Sequence, residues 1–262
     1  MTILLEILIA LLVLLLAYFI YGHVKLKRLA SQMQRLAGEA EQSKQQTLAE
    51  QRRNQQLKQE MTSNIAHELK TPVSSIRGYL EILLSGKQVS AEQQRYFLQR
   101  SYTQTLRLST LINDVGLVNK LEESRDLFVK EPIVVRDIVE ESVRDLENKL
   151  MERNIAVDDR ISPNVTLMGN HDLIYAIFRN LIDNVATHAG QNLTILIETY
   201  REDDASLFFH FADNGSGVNN QYLSRIFDRF VRIDGGRSRQ LGGSGLGLAI
   251  VKHSVQFHGG DI

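Results

Sequence analysis

The sequence predicts a multidomain chain. Its parts are an N-terminal transmembrane helix, an all-α helical hairpin that pairs with a second copy into a four-helix bundle, and a C-terminal α+β sandwich. Three observations predict this. Residues Ile3 to Tyr21 are apolar almost throughout. Met61 to Leu84 keeps a three-four apolar spacing, the period of a helical seam. Beyond Asp126 short apolar runs alternate with amphipathic stretches, which suits helices layered on one mixed sheet. The expected domains are 1–22 (anchor), 23–60 (coiled-coil-like linker helix), 61–121 (dimerising hairpin) and 127–262 (sandwich).

Ile3 to Tyr21 reaches the roughly 20 residues a membrane-spanning helix needs. Tyr18 and Tyr21 suit an interfacial belt. Lys25, Lys27, Arg28 and Arg35 follow the segment and no Lys or Arg precedes it, which places the remainder in the cytoplasm. A cleaved signal peptide needs a basic start and a small-residue cleavage site, and Tyr21-Gly22-His23-Val24-Lys25 supplies neither. From His23 to Glu60 the heptad positions run unbroken through Leu29, Met33, Leu36, Ala40, Ser43, Thr47, Glu50, Asn54 and Leu57, apolar at the ends and polar between. Such a helix pairs weakly.

The seam of the next stretch is Ile65, Leu69, Ile76, Leu80 and Leu83, with Pro72 or Val73 in the gap. His67 falls off that seam and is expected in solvent. Thr71, one turn on, shares its face, and its hydroxyl is expected to tilt toward the imidazole. Pro72 lacks an N–H and crowds the Glu68 carbonyl, so a bend is expected beside His67. Gly86 ends the helix, Ser90 and Gln93 have the spacing of a capping box, and a second helix runs to about Leu121 with its seam at Leu98, Ser101, Thr105, Leu108, Ile112 and Val115. Burying both seams calls for two hairpins, hence a homodimer.

In the last region strands are expected over Leu127–Val135, Ile155–Ile161, Val165–Met168, Leu193–Tyr200 and Ser206–Asp213. Helices are expected over Arg136–Met151, Asp172–His188 and Ser244–Phe257. In the last of these strands Leu207, Phe209 and Phe211 alternate with Phe208 and His210.

Composition narrows the function. The 262 residues carry 30 Lys and Arg against 31 Asp and Glu, a net charge of −1, so there is no basic footprint for nucleic acid. No cysteine is present, which excludes disulfides and thiolate zinc sites. Three groups of residues suit a nucleotide instead. Asn180 and Asn184 lie one helical turn apart and offer neutral oxygens to Mg²⁺. Asp213-Asn214-Gly215-Ser216-Gly217 follows a strand, where a carboxylate can accept from an adenine amino group and glycines let the backbone approach. Gly242-Gly243-Ser244-Gly245-Leu246-Gly247 opens a helix whose N–H groups can hold phosphate. No Walker A sequence is present. Between the last two groups, Phe227, Phe230, Arg232, Arg237 and Arg239 lie on a loop that can close over a polyphosphate.

Taken with His67-Glu68-Leu69-Lys70-Thr71-Pro72, these groups resemble, in order and spacing, the phospho-acceptor box and the N, G1, F and G2 boxes of sensor histidine kinases. The resemblance runs from about Met61 to the C-terminus. It implies a Bergerat-type ATP-binding fold and a two-component activity: autophosphorylation from Mg²⁺-ATP, then transfer to an aspartate in a response regulator's receiver domain. It also implies a place in the bacterial inner membrane. By that resemblance His67 is the phosphorylated residue, Glu68 its base and Thr71 the residue orienting a hydrolytic water. Asn184, with Asn180, serves the metal, Asp213 the adenine, and Arg232 and Arg237 the phosphates, beside Gly215, Gly217, Gly243, Gly245 and Gly247.

Two departures stand out. Thr187 and His188 occupy positions where the family commonly has Lys or Arg and then an aromatic residue. The chain stops at Ile262, whereas the family continues into a β-hairpin, so a weakened sheet is expected. These departures keep an alternative in view, a non-catalytic or phosphatase-only kinase-like scaffold.

Overall fold

The structure, a computed structural model, describes residues 2–86, 88–123, 127–201, 206–232 and 244–262. It divides into two compact units, Met1–Thr62 and Ser63–Ile262. The first is the leading part of α1 (Thr2–Leu84). Its heptad residues Leu29, Met33 and Leu36 are exposed in the single chain. Among the described residues no helix is long and apolar enough to cross a membrane, so the anchor expected over 1–22 is not seen as such.

The second unit opens with the hairpin. α1 continues through Pro72 without interruption. Pro72 removes one backbone donor, and the hydroxyls on either side make bonds of their own to the backbone: Thr71 Oγ1 donates to the His67 carbonyl at 3.3 Å and Ser75 Oγ to the Thr71 carbonyl at 3.1 Å. Gly86 takes a left-handed φ of 72° just after the helix, the usual conformation of a helix C-terminus. α2 (Ala91–Glu123) then starts with the expected capping box. The Ser90 N–H donates to Gln93 Oε1 at 3.1 Å and the Gln93 N–H to Ser90 Oγ at 3.2 Å. Tyr79 stacks on Phe97 across the hairpin, and Leu111, Val118 and Leu121 are buried. Leu80, Leu98 and Ile112, all expected in the seams, stay exposed, because one hairpin covers only one side of each helix.

After α2 come β1 (Glu131–Val134), α3 (Val135–Asp145), α4 (Glu147–Glu152), β2 (Ile155–Asp159), β3 (Thr166–Gly169), α5 (His171–Asn184), a π-helical turn (Val185–Ala189), β4 (Leu193–Arg201), β5 (Leu207–Asp213) and α6 (Gly247–Phe257). Among the described residues the expectation of one mixed sheet is corrected to two sheets. β1 and β3 form an antiparallel pair, while β2, β4 and β5 form a mixed sheet in that order, β2 parallel and β5 antiparallel to β4.

Alternation on β4 explains the layers. Ile195 and Ile197 turn inward and are fully buried against α3 and α5. On the other face Glu198 meets His210 at 2.9 Å and Tyr200 stacks on Phe208. On β5 the expected alternation holds: Phe209 packs edge-on against Phe178 of α5 and Phe211 joins the core. α5 is capped by Asn170, whose side chain accepts from the Leu173 N–H. The Asn170 N–H in turn donates to His258 Nε2 at 3.0 Å, tying the end of α6 to the start of α5.

Candidate active site

α5 carries Asn180 and Asn184. Asn180 Nδ2 donates to its own helix at the Ala176 carbonyl, 2.7 Å away, which fixes the amide and turns its oxygen toward α6. Gly247, the first residue of α6, lies so close that a Cβ there would stand 2.8 Å from Asn180 Oδ1. The N-box and G2-box residues therefore meet, at a distance that a Cβ would crowd.

Beyond Asn184 the helix widens into the π-helical turn, a distortion frequent at functional sites. Its Thr187 Oγ1 donates to the Asp183 carbonyl and accepts from Lys149 Nζ, each at 2.7 Å; the same ammonium meets Asp183 Oδ1 at 2.6 Å. His188 is exposed, yet the protein packed around its ring desolvates it enough to hold its pKa below the ordinary imidazole value. Asp183 opposes the shift, while Lys149, Arg232 and Arg153 reinforce it.

The turn after β5 closes on the end of this segment. A Cβ on Gly215 would fall 2.6 Å from the Ala189 Cβ. The Gly215 N–H donates to Asp213 Oδ1 at 2.8 Å and the Ser216 N–H to the Ala189 carbonyl at 3.1 Å. Gly217 takes a φ of +67°. The F and G2 groups meet as well: the Phe230 N–H donates to the Gly245 carbonyl at 2.8 Å, and a Cβ on Gly245 would sit 2.9 Å from the Phe230 Cα. Gly243 and Arg237 lie outside the described residues.

The hairpin contributes the remaining groups. His67 is exposed, as expected. Glu68, the next residue, is partly buried. Its carboxylate is enclosed between two guanidinium groups. Arg232 Nη1 stands 3.3 Å from both oxygens, and Arg107 Nη2, from α2, lies 3.5 Å from Oε2. The Thr71 hydroxyl goes to the His67 backbone carbonyl rather than to the imidazole, so its expected tilt is corrected. Lower on α2, Asp114 Oδ2 accepts from Ser244 Oγ at 3.1 Å. Burial raises the Asp114 pKa from 3.8 to about 6, against the opposing Ser244 bond and Arg179, with Asp183 adding to the rise.

Two family matches follow this division of the chain. "His Kinase A (phospho-acceptor) domain" matches residues 57–124, and "Histidine kinase-, DNA gyrase B-, and HSP90-like ATPase" matches residues 169–262. The chain belongs to the sensor histidine kinase family. It is 31% identical over 227 residues to the sensor histidine kinase WalK of Bacillus subtilis (strain 168), an alignment covering 82% of this chain and 35% of WalK. It is 33% identical over 202 residues to the phosphate regulon sensor protein PhoR of Haemophilus influenzae, covering 77% and 47%. The chain thus spans less than half the length of these curated relatives. The solved complex of the histidine kinase ThkA with the response regulator protein TrrA shares the fold, with a TM-score of 0.53 at 20% identity over 66% of this chain and 50% of that one.

The sequence alone passes over three residues that the structure brings forward, Arg107, Asp114 and Lys149. A charge set into an apolar seam is a clue for Arg107, flanked by Leu106 and Leu108, and for Asp114, flanked by Asn113 and Val115. Lys149 gives no such clue, since it reaches its partners across 34 and 38 residues.

Proposed function

We propose that the chain is an ATP-dependent protein-histidine kinase that phosphorylates His67 and passes the phosphoryl group to an aspartate of a response regulator's receiver domain. The observation that carries this reading is the close approach of Gly215, Gly245 and Gly247 to Ala189, Phe230 and Asn180, where a Cβ has no room. Close backbone packing of this kind suits a glycine-rich site for a nucleotide beside two asparagines.

Among the described residues no three His, Cys, Asp or Glu side chains cluster as a metal cage. A magnesium ion suits Asn184, with Asn180, and phosphate oxygens, a donor set that hard cation accepts. The ion would offset phosphate charge as the transfer proceeds. Asp213 accepts from the adenine amino group, and Gly217, Gly243, Gly245, Gly247, Arg232 and Arg237 hold phosphates. A ring nitrogen of His67 attacks the γ-phosphorus; the N–P bond forms, the bond to ADP breaks, and the imidazole proton passes to Glu68. In a phosphatase reaction on the regulator, Thr71 orients the water that hydrolyses the phosphoaspartate. The functional domains follow the divisions 1–22, 23–60, 61–121 and 127–262.

The apolar run Ile3–Tyr21, followed by basic residues, supports a single-pass anchor in a bacterial inner membrane with the remainder in the cytoplasm. Exposed Leu80, Leu98 and Ile112 support a homodimer through the hairpins. Incubating the full chain in mild detergent with γ-labelled ATP, then adding a receiver domain, tests the reading. Label should appear on the chain and move to the receiver. A chain that binds ATP and never takes up label is not a kinase.

A further inference from the structure

Glu68, Arg107 and Arg232 bring charges together from α1, α2 and the residues that lead into the glycine-rich loop. Their side chains are 15%, 19% and 12% exposed, so solvent screens them little. We propose that Arg232 exchanges between Glu68 and the phosphates of bound nucleotide, and that Arg107 is the positioning residue that keeps Glu68 paired once Arg232 has left. This rests on the assignment of the nucleotide site above.

Three features support the exchange. Arg232 reaches both oxygens of Glu68 through one nitrogen, Nη1, at 3.3 Å. That is not the two-nitrogen fork of a tight Arg–carboxylate pair, and it is longer than the about 2.7–2.9 Å of strong charge-assisted bonds. The pair is weak enough to open. Second, Arg232 stands two residues after Phe230, whose N–H is bonded to Gly245, and it acts on His188 at the end of the Asn184 helix. It already sits among the residues proposed to hold nucleotide. Third, a polyphosphate carries several negative charges where Glu68 carries one, so it competes well for a guanidinium.

Opening the pair has a cost, because an enclosed carboxylate left without a cation is strongly disfavoured. Arg107, already 3.5 Å from Glu68 Oε2, removes most of that cost. It touches no nucleotide, yet it should strengthen nucleotide binding by letting Arg232 go. The exchange also couples two events. Glu68 faces two cations before ATP binds and one afterwards, so its surroundings change only when there is a phosphoryl group to transfer.

The test is the Mg²⁺-ATP dissociation constant of the full chain in mild detergent, measured by calorimetry. Glu68→Gln should tighten binding about fivefold, the equivalent of about 1 kcal/mol for a partly screened pair. In an Arg232→Gln background the same change should do nothing. Arg107→Gln should weaken binding by a similar factor, Arg107→Lys should restore it, and Arg107→Gln should have no effect once Glu68 is Gln. A structural role for Arg107 predicts instead a loss that persists in the Glu68→Gln background and that Lys does not restore, and this overturns the positioning role. Unchanged affinity in Glu68→Gln overturns the exchange. Absence of ATP binding by the wild-type chain overturns the nucleotide-site assignment itself, a different result from binding that is indifferent to Glu68.

Discussion

Gly247→Ala tests the nucleotide site most locally. The added Cβ would stand 2.8 Å from Asn180 Oδ1, against about 3.4 Å for an ordinary contact. Asn180 has little room to yield, because its Nδ2 is bonded to the Ala176 carbonyl at 2.7 Å. Rotating the amide gives up that bond, worth about 1 kcal/mol, and overpacking adds about 1–3 kcal/mol. Alanine recovers up to about 1 kcal/mol of helix propensity at the start of α6. The net loss of stability is thus about 1–3 kcal/mol, a fall of several degrees in Tm. The larger effect falls on ligand binding, since Asn180 turns away from its place beside the glycine loop. Thermal melts of both proteins with and without Mg²⁺-ATP separate the two effects. The variant should melt a few degrees lower and lose most of its stabilisation by nucleotide. A variant that melts lower but is stabilised by Mg²⁺-ATP as strongly as wild type would show that Asn180 and Gly247 serve only packing.

Further predictions concern the hairpin and the metal. Asp114 is raised from 3.8 to about 6 by burial, so its contribution is fully present below about pH 4 and is lost as pH rises through about 6. The difference between wild type and Asp114→Asn, read from urea unfolding between pH 4 and 7.5, should therefore fall by about 3 kcal/mol, at about 1.4 kcal/mol per pH unit; a flat difference contradicts the burial argument. Leu80, exposed in the single hairpin, should be covered in a dimer, so Leu80→Asp should give monomers by light scattering where wild type gives dimers. Asn184→Ala should remove magnesium-dependent ATP binding while the dimer persists, and unchanged affinity would place the metal elsewhere.

Local patterns were legible in the sequence and cross-chain contacts were not. The Ser90–Gln93 capping box is set by residues three apart, and both of its bonds form. The helix expected over Arg136–Met151 instead breaks at Leu146, whose φ of −102° and ψ of 4° leave the helical region with no Gly or Pro to announce it. The strand expected over Leu127–Val135 shrinks to Glu131–Val134, where β3 supplies partners; Leu127 and Val129 are exposed. The helix expected to reach His188 changes to a π turn after Asn184, held by the Thr187 hydroxyl on the Asp183 carbonyl. The order of the site residues along the chain pointed to the ATPase family match over residues 169–262. Pairing of Glu68 with Arg232, 164 residues away, had no local pattern to reveal it.

Phosphate chemistry at His67 is the most direct test of the whole account. The full chain, its His67→Gln variant and its Glu68→Gln variant are incubated with γ-labelled ATP and Mg²⁺, and the labelled protein is divided between acid and alkali. Wild type should carry label that acid removes and alkali spares, as expected of phosphohistidine. Glu68→Gln should carry the same label more slowly, by about 10²–10⁴-fold for a general base of usual strength. His67→Gln, which keeps the size of the side chain without a nucleophilic ring nitrogen, should carry none. Label that persists in His67→Gln, or wild-type label that survives acid, would contradict His67 as the phospho-acceptor.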